Sequence, residues 1–286
     1  MTRPARAFAQ VDVFGKRPCS GNPVAVVLDG AGLDDEAMQR FASWTQLSET
    51  TFVAPPTDPG ADYALRIFTP GGELPFAGHP TLGTCHAWLQ AGGSPRDAAE
   101  VVQQCAVGRV RIRRGDGARL AFAAPPLRRS EVEPALLARV AAALGVEPAR
   151  VRAAQWLDNG PQWLTLLLDD AASVLALAPD HAALKTLPKV GVVGAHAPGA
   201  ECAFEVRAFA ASIGVAEDPV TGSLNASIAQ WLIAEGLAPA AYVAAQGARL
   251  GREGRVHVVQ EQGDAGSVTW IGGDCQRIIE GRATLA

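Results

Sequence analysis

The chain repeats itself once. Leu65-Arg66-Ile67-Phe68, an irregular segment, Gly78-His79 and a run carrying Trp88-Leu89 form the first copy. Val206-Arg207-Ala208-Phe209, a second irregular segment, Gly222-Ser223 and a run carrying Trp231-Leu232 form the other. The offset is 141 residues at the first tetrapeptide and 143 to 144 further on. Solenoid repeats recur every 20–50 residues or so, far below this period, so the pattern marks a duplicated domain. Each copy reads as a strand, a glycine-bearing loop and a buried helix. A chain of 286 residues has room for two such domains.

The rest of the pattern is α/β. Residues 11–14, 23–28, 50–54 and 63–69 read as strands in the first half, and 162–168, 190–193 and 204–209 in the second. Residues 34–44 have helical spacing, with Met38, Phe41 and Ala42 on one face. Residues 80–91 and 222–236 read as helices that are apolar around much of their circumference, so both belong inside something. Pro80 suits a first helical position, where a missing N–H costs nothing. Pro125-Pro126, followed by a polar stretch to Glu133, is the expected boundary. It gives an N-terminal domain at 1–124 and a C-terminal domain at 125–276.

Composition removes several function classes. The net charge of −4 offers no general pull toward nucleic acid or an anionic membrane. Arginines 109, 111, 113 and 114 lack interleaved aromatics and read as a solvated strand face. No apolar run reaches the roughly 18 residues of a spanning helix, and no signal-peptide pattern opens the chain. Five scattered cysteines without metal spacing point to free thiols in a reducing cytoplasm, and no metal site is expected.

The two glycine loops carry the chemistry. A helix start behind such a loop presents free N–H groups and the positive end of the dipole, a ready seat for a carboxylate or phosphate. Gly78-His79-Pro80 and Thr221-Gly222-Ser223 are two such starts. If the domains pack with pseudo-two-fold symmetry, both would point into one cleft. Neither loop is a nucleotide fingerprint. His79 lies in one loop, Asp218 stands four residues before Gly222, and Glu49 stands at the mouth of a strand. A His, an Asp and a Glu near an anion site are the parts of acid–base catalysis.

Several motifs then carry a family resemblance. They are Gly21-Asn22-Pro23-Val24-Ala25-Val26, Ser48-Glu49-Thr50-Thr51-Phe52, and Phe68-Thr69-Pro70 with Leu74-Pro75-Phe76-Ala77-Gly78-His79-Pro80-Thr81. Glu217-Asp218-Pro219-Val220-Thr221-Gly222-Ser223 and Gln246-Gly247 with Gly251-Arg252 complete the set. In this order, from about residue 11 to about 272, the chain resembles the PhzF family of phenazine-biosynthesis-like isomerases.

The resemblance implies a diaminopimelate-epimerase-like fold: two similar α/β domains, each a curved sheet around a central helix, with the active site between them. It implies that the last strand, about 277–286, returns to the first domain. It further implies a homodimer that uses no cofactor and isomerises a small carboxylate-bearing metabolite, with Glu49 as the acid–base group beside His79 and Asp218. Asn22, Gly78, Thr221, Gly222 and Ser223 would bind the substrate. Related epimerases use a cysteine from each domain, and neither glycine loop here has one. An epimerase or racemase on the same fold, and a metabolite-binding protein without catalysis, stay open from the residues alone.

Overall fold

The structure is a computed structural model that describes residues 5–115, 117, 119–263 and 266–285. Residues 1–4, 116, 118, 264, 265 and 286, which the expected domain spans include, lie outside the described residues. The chain divides into two compact units, Met1–Ala123 with Gly272–Ala286, and Ala124–Ile271.

The first unit contains β1 (Ala5–Val13), β2 (Asn22–Val27), α1 (Asp35–Thr45), β3 (Glu49–Ala54), β4 (Tyr63–Thr69), β5 (Gly72–Leu74), α2 (Gly78–Gln90), β6 (Glu100–Cys105), β7 (Gly108–Arg114) and β8 (Arg119–Ala123). The second contains β9 (Arg128–Glu131), α3 (Pro134–Leu144), β10 (Val151–Asp158), β11 (Gln162–Leu168), α4 (Ala171–Leu175), α5 (His181–Leu184), β12 (Val190–Ala195), β13 (Phe204–Ala210), β14 (Val215–Asp218), α6 (Gly222–Ala234), β15 (Ala241–Gln246) and β16 (Gly254–Gly263). The last strand, β17 (Gly266–Thr284), starts in the second unit and ends in the first.

Strand pairing makes the duplication explicit. In the first unit β1 pairs antiparallel with β2, β2 parallel with β3, β3 antiparallel with β4, β4 parallel with β6, and β6 antiparallel with β7. In the second, β10 to β11, β11 to β12, β12 to β13, β13 to β15 and β15 to β16 follow the same alternation. The short strands β5 and β14 fold back on β4 and β13 in each. In the first unit β7 pairs with β8, and β17 pairs with both β8 and β1, so the sheet closes on itself. Closure leaves no unpaired edge within that ring.

The middle of each unit is a thirteen-residue helix, α2 or α6. Neither contains Asp, Glu, Lys or Arg, and both are buried along most of their length. A helix wrapped by strands has no solvent face, so an amphipathic stripe is not required. Gly83 lets α2 press on the sheet: a Cβ there would stand 2.4 Å from Val24 Cγ1.

The repeated Arg-x-Phe has a physical role. Arg66 forks onto Glu73 of β5 at 2.7 and 2.6 Å, and its guanidinium lies 5.0 Å from the Phe68 ring centre. Arg207 forks onto Glu217 of β14 at 2.9 and 2.8 Å and lies 5.0 Å from Phe209. The paired fork ties the short returning strand to its neighbour, and that strand leads into the glycine loop. The Arg66 pair is partly exposed, whereas the Arg207 pair is buried.

Two expectations need correction. Pro80 is the third helical residue, because α2 already starts at Gly78. It is tolerated there because the first four N–H groups of a helix lack intrahelical partners. The polar stretch after Pro126 is not irregular: it holds β9, which pairs with β10. All five cysteines are free, and no helix among the described residues is long and apolar enough to cross a membrane.

Candidate active site

In the first unit Glu49 opens β3, and the parallel pairing with β2 sets it beside Val24. Its side chain is largely buried, at 13 % exposure. His79, the second residue of α2, is buried. Its Nε2 stands 3.4 Å from Glu49 Oε2. On the other side of the ring, Nδ1 meets the side-chain nitrogen of buried Asn22 at 3.3 Å.

Asn22 is held by the turn before β2. The buried Asp12 carboxylate accepts from the N–H groups of Ser20 and Gly21, each at 3.0 Å. Gly21 must be a glycine, since a Cβ would stand 2.1 Å from the Val13 carbonyl oxygen. Asp12 thus holds the turn that presents the Asn22 amide to His79.

Burial pushes the His79 imidazole down to about 3, against a hydrogen bond to the Pro23 backbone that holds it up. The ring is therefore neutral at ordinary pH. With a proton on Nδ1, given to Pro23, Nε2 is an acceptor. With Nδ1 accepting from Asn22, Nε2 is a donor. A neutral ring so placed can face Glu49 in either of its protonation states.

The start of α2 is suited to an anion. Ala77, the N-cap, is extended and no side chain caps the helix. Gly78 and His79 carry N–H groups that no earlier turn can satisfy. Neither Gly78 nor Gly222 has a positive φ, so glycine is not needed there for backbone conformation.

In the second unit Asp218 ends β14 and is buried. Its Oδ2 accepts from the Thr221 hydroxyl at 2.6 Å. Gln246, at the end of β15, holds this turn together. Its Oε1 accepts from the Thr221 N–H at 3.0 Å and from the Asn225 side chain at 2.9 Å. Its Nε2 donates to the Asp218 carbonyl at 3.0 Å and to Thr221 Oγ1 at 2.9 Å. Gly222 and Ser223 open α6, again without a side-chain cap, and Asn159 donates to the Ser223 carbonyl at 2.9 Å.

The two sites are built alike and armed differently. Gln103 of β6 stands 143 residues before Gln246, and it too bonds the first turn of its helix, giving Thr81 a hydrogen bond of 3.1 Å. The second helical residue is His79 in one copy and Ser223 in the other. The first residue of β3 is Glu49, and the first of β12 is Val190. The last residue of β14 is Asp218, and the last of β5 is Leu74. Duplication supplied two frames; the two candidate catalytic carboxylates, Glu49 and Asp218, stand at different places in the repeat.

The structure thus brings Glu49, His79, Asn22 and Gly78 together in one unit, and Asp218, Thr221, Gly222 and Ser223 together in the other. In the sequence Asp12, Asn159 and Gln103 carry no signal of this support, and Gln246 enters only as part of a family motif. Only the 143-residue spacing of the two glutamines hints at their shared task. No group of three or more potential metal ligands occurs among the described residues. Cys85 is buried inside α2, and burial pushes its thiol up to about 12, so it cannot serve as a base at ordinary pH.

Comparison with known proteins agrees with this construction. The family model described as phenazine biosynthesis-like protein, PhzC-PhzF, matches residues 11–281. The trans-2,3-dihydro-3-hydroxyanthranilate isomerase of Pseudomonas aeruginosa is 35% identical over 283 residues, covering 97% of this chain and 99% of its own length. A Schizosaccharomyces pombe protein called antisense-enhancing sequence 1 is 34% identical, with 98% and 99% covered. Among solved structures, a Bacillus anthracis protein of the PhzF family superposes with a TM-score of 0.84 at 22% identity, covering 98% of this chain and 99% of that one.

Proposed function

This chain belongs to the phenazine biosynthesis-like family and is an isomerase, and on that footing we propose that it moves a proton within a small carboxylate-bearing metabolite, with Glu49 as the carrier. The observation that carries the reading is the Glu49 carboxylate 3.4 Å from a buried, neutral His79 at an uncapped helix start.

In the first step the Glu49 carboxylate takes a proton from a substrate carbon. The electron pair of the broken C–H bond moves along the substrate's unsaturated system. In the second step the Glu49 carboxyl returns a proton at another carbon. A base and an acid are both needed, and one carboxyl group can be each in turn. His79 is a poor carrier because a ring with a pKa of about 3 gives up its proton too readily. Its task is to offer Nε2 to Glu49 as donor or acceptor as the proton comes and goes.

Asp218, held by Thr221, is assigned to polarising the substrate. The free N–H groups at Gly78 and His79, and at Gly222 and Ser223, are assigned to its anionic group. Asn22 belongs to the reading through its hold on His79. The steps require no group beyond the chain's own side chains.

The test is incubation with trans-2,3-dihydro-3-hydroxyanthranilate in D₂O, followed by proton NMR. The expected result is an isomer carrying one deuterium from solvent at the newly protonated carbon. Return of the starting compound with an inverted centre would make the chain an epimerase. Binding without hydrogen exchange would overturn catalysis on this substrate class.

A further inference from the structure

A cavity lined by charged residues lies in the Ala124–Ile271 unit. Gly191 of β12 packs against Leu224 of α6 and pairs with Ala208, so Ala208 and Val206 face α6. Glu205, which alternates with them, faces the opposite side of the sheet. Glu205 pairs with Ala245 across β13 and β15, and Ala245 pairs with Arg255 across β15 and β16. A buried acid and an arginine therefore flank an alanine on one face. The short alanine leaves a gap, and a cavity of about 240 Å³ opens there.

Its lining carries both signs of charge: Glu201, Glu205 and Glu253 against Arg252 and Arg255, with His196 beside them. Glu205 Oε2 meets His196 Nε2 at 3.1 Å, whereas Glu205 Oε1 is buried with no hydrogen-bond partner. Arg255 gives one terminal nitrogen to Glu201 and the other to the Gly254 carbonyl, each at 3.0 Å, whereas its Nε is buried with no acceptor. The Glu205 side chain is only 4 % exposed. Burial pushes its carboxyl up, so the group gains from any further donor brought to it. The two residues that carry this unmatched acceptor and this unmatched donor thus line one small cavity. Such groups call for a ligand that supplies the complementary pair.

We propose that this cavity is a binding site for a small α-amino-acid-type zwitterion, whose ammonium group meets Glu205 and whose carboxylate meets Arg255. A lone anion would leave Glu205 Oε1 unmatched, and a lone cation would leave Arg255 Nε unmatched. The volume suits a molecule with a short side chain. The site stands independently of the role given to Glu49, since none of its charged residues belongs to that machinery. Gln246 lines it as well, and so joins it to the Asp218–Thr221 turn.

The test is calorimetric titration of the whole chain at pH 7 with glycine and with L-glutamine, against acetate and methylammonium as single-charge controls. At least one zwitterion should bind about tenfold or more tightly than either control. Glu205→Gln and Arg255→Gln should each weaken that binding by about tenfold or more. Ala200, exposed at the cavity's lining, offers a variant that leaves the charges alone. Ala200→Trp should abolish zwitterion binding while the melting temperature without ligand stays unchanged. Absence of binding by both zwitterions, acetate binding as well as they do, or binding that survives both Arg255→Gln and Ala200→Trp would each overturn the proposal.

Discussion

His79 Nε2 lies 3.4 Å from Glu49 Oε2, and the imidazole that faces this carboxyl is neutral because it is buried. The pair is not an ion pair at ordinary pH. It is a carboxyl group beside a neutral imidazole, a ring that can act as donor or acceptor according to its tautomer.

Folding should cost His79 its proton, and stability should show it. The folded pKa is about 3 against an ordinary value of 6.5, so between these limits the unfolded chain binds more protons. Stability therefore rises with pH through this window. The contribution is fully present above about 6.5 and is lost as pH falls toward 3. Such a shift corresponds to roughly 3–5 kcal/mol at its limit. His79→Gln should flatten the slope of urea-unfolding stability between pH 4 and 6.5. An unchanged slope would show that His79 does not titrate between these states.

The two Arg–Glu forks should differ in worth although both are bidentate. Glu217→Gln leaves Arg207 buried beside a weaker partner and should cost about 3 kcal/mol. Glu73→Gln touches a fork whose partners are 34 and 41 % exposed, and should cost about 1 kcal/mol or less. Denaturant unfolding of the two variants measures the difference. Equal costs would mean that burial does not set the strength of the fork.

Gln246→Leu should impair function beyond its effect on folding. It removes the partner of the Thr221 N–H, the Asn225 amide and the Asp218 carbonyl, each worth roughly 1–3 kcal/mol when left buried and unmatched. The melting temperature should fall, and kcat should fall about tenfold or more at temperatures where the variant is fully folded. Wild-type kcat in the folded variant would free Asp218 and Thr221 from any need of exact placement.

Thiol chemistry should be dispensable. With its thiol pushed up to about 12, Cys85 can be replaced by alanine at little cost to turnover. Turnover of Cys85→Ala within about threefold of wild type is expected, since loss of an acid–base group would cost about 10²-fold or more. A loss of that larger size would put a cysteine back into the chemistry.

The duplicated frame was legible because its signals are local. Arg-x-Phe, a glycine loop and a helix without charge each recur at an offset of 141 to 144 residues. The strands that escaped notice lack such signals. In β15, Ala-Tyr-Val-Ala-Ala-Gln is rich in alanine, which has little strand preference. In β9, all four residues are exposed and polar, so nothing marks them as paired. β5 and β14 are three and four residues long and owe their place to the Arg66 and Arg207 forks.

The same division holds at the candidate site. Glu49, His79 and Asp218 stand out one at a time, by type and by neighbouring glycine. That Glu49 meets His79, 30 residues on, depends on β3 belonging to the closed sheet that packs around α2. The supporting amides are harder still. Asn22 and Gln246 stand out only as parts of family motifs, whereas Gln103 and Asn159 look like surface residues in a sequence, and only burial turns them into clamps.

The central claim, that Glu49 carries the proton, is tested most directly by Glu49→Gln, which keeps the shape and removes the ionisable group. Turnover of trans-2,3-dihydro-3-hydroxyanthranilate by wild type and variant is compared in D₂O, with the melting temperature of each. The account predicts an unchanged fold, retained binding, and a loss of about 10²-fold or more in both turnover and deuterium incorporation. A folded Glu49→Gln variant that turns over at the wild-type rate would contradict it.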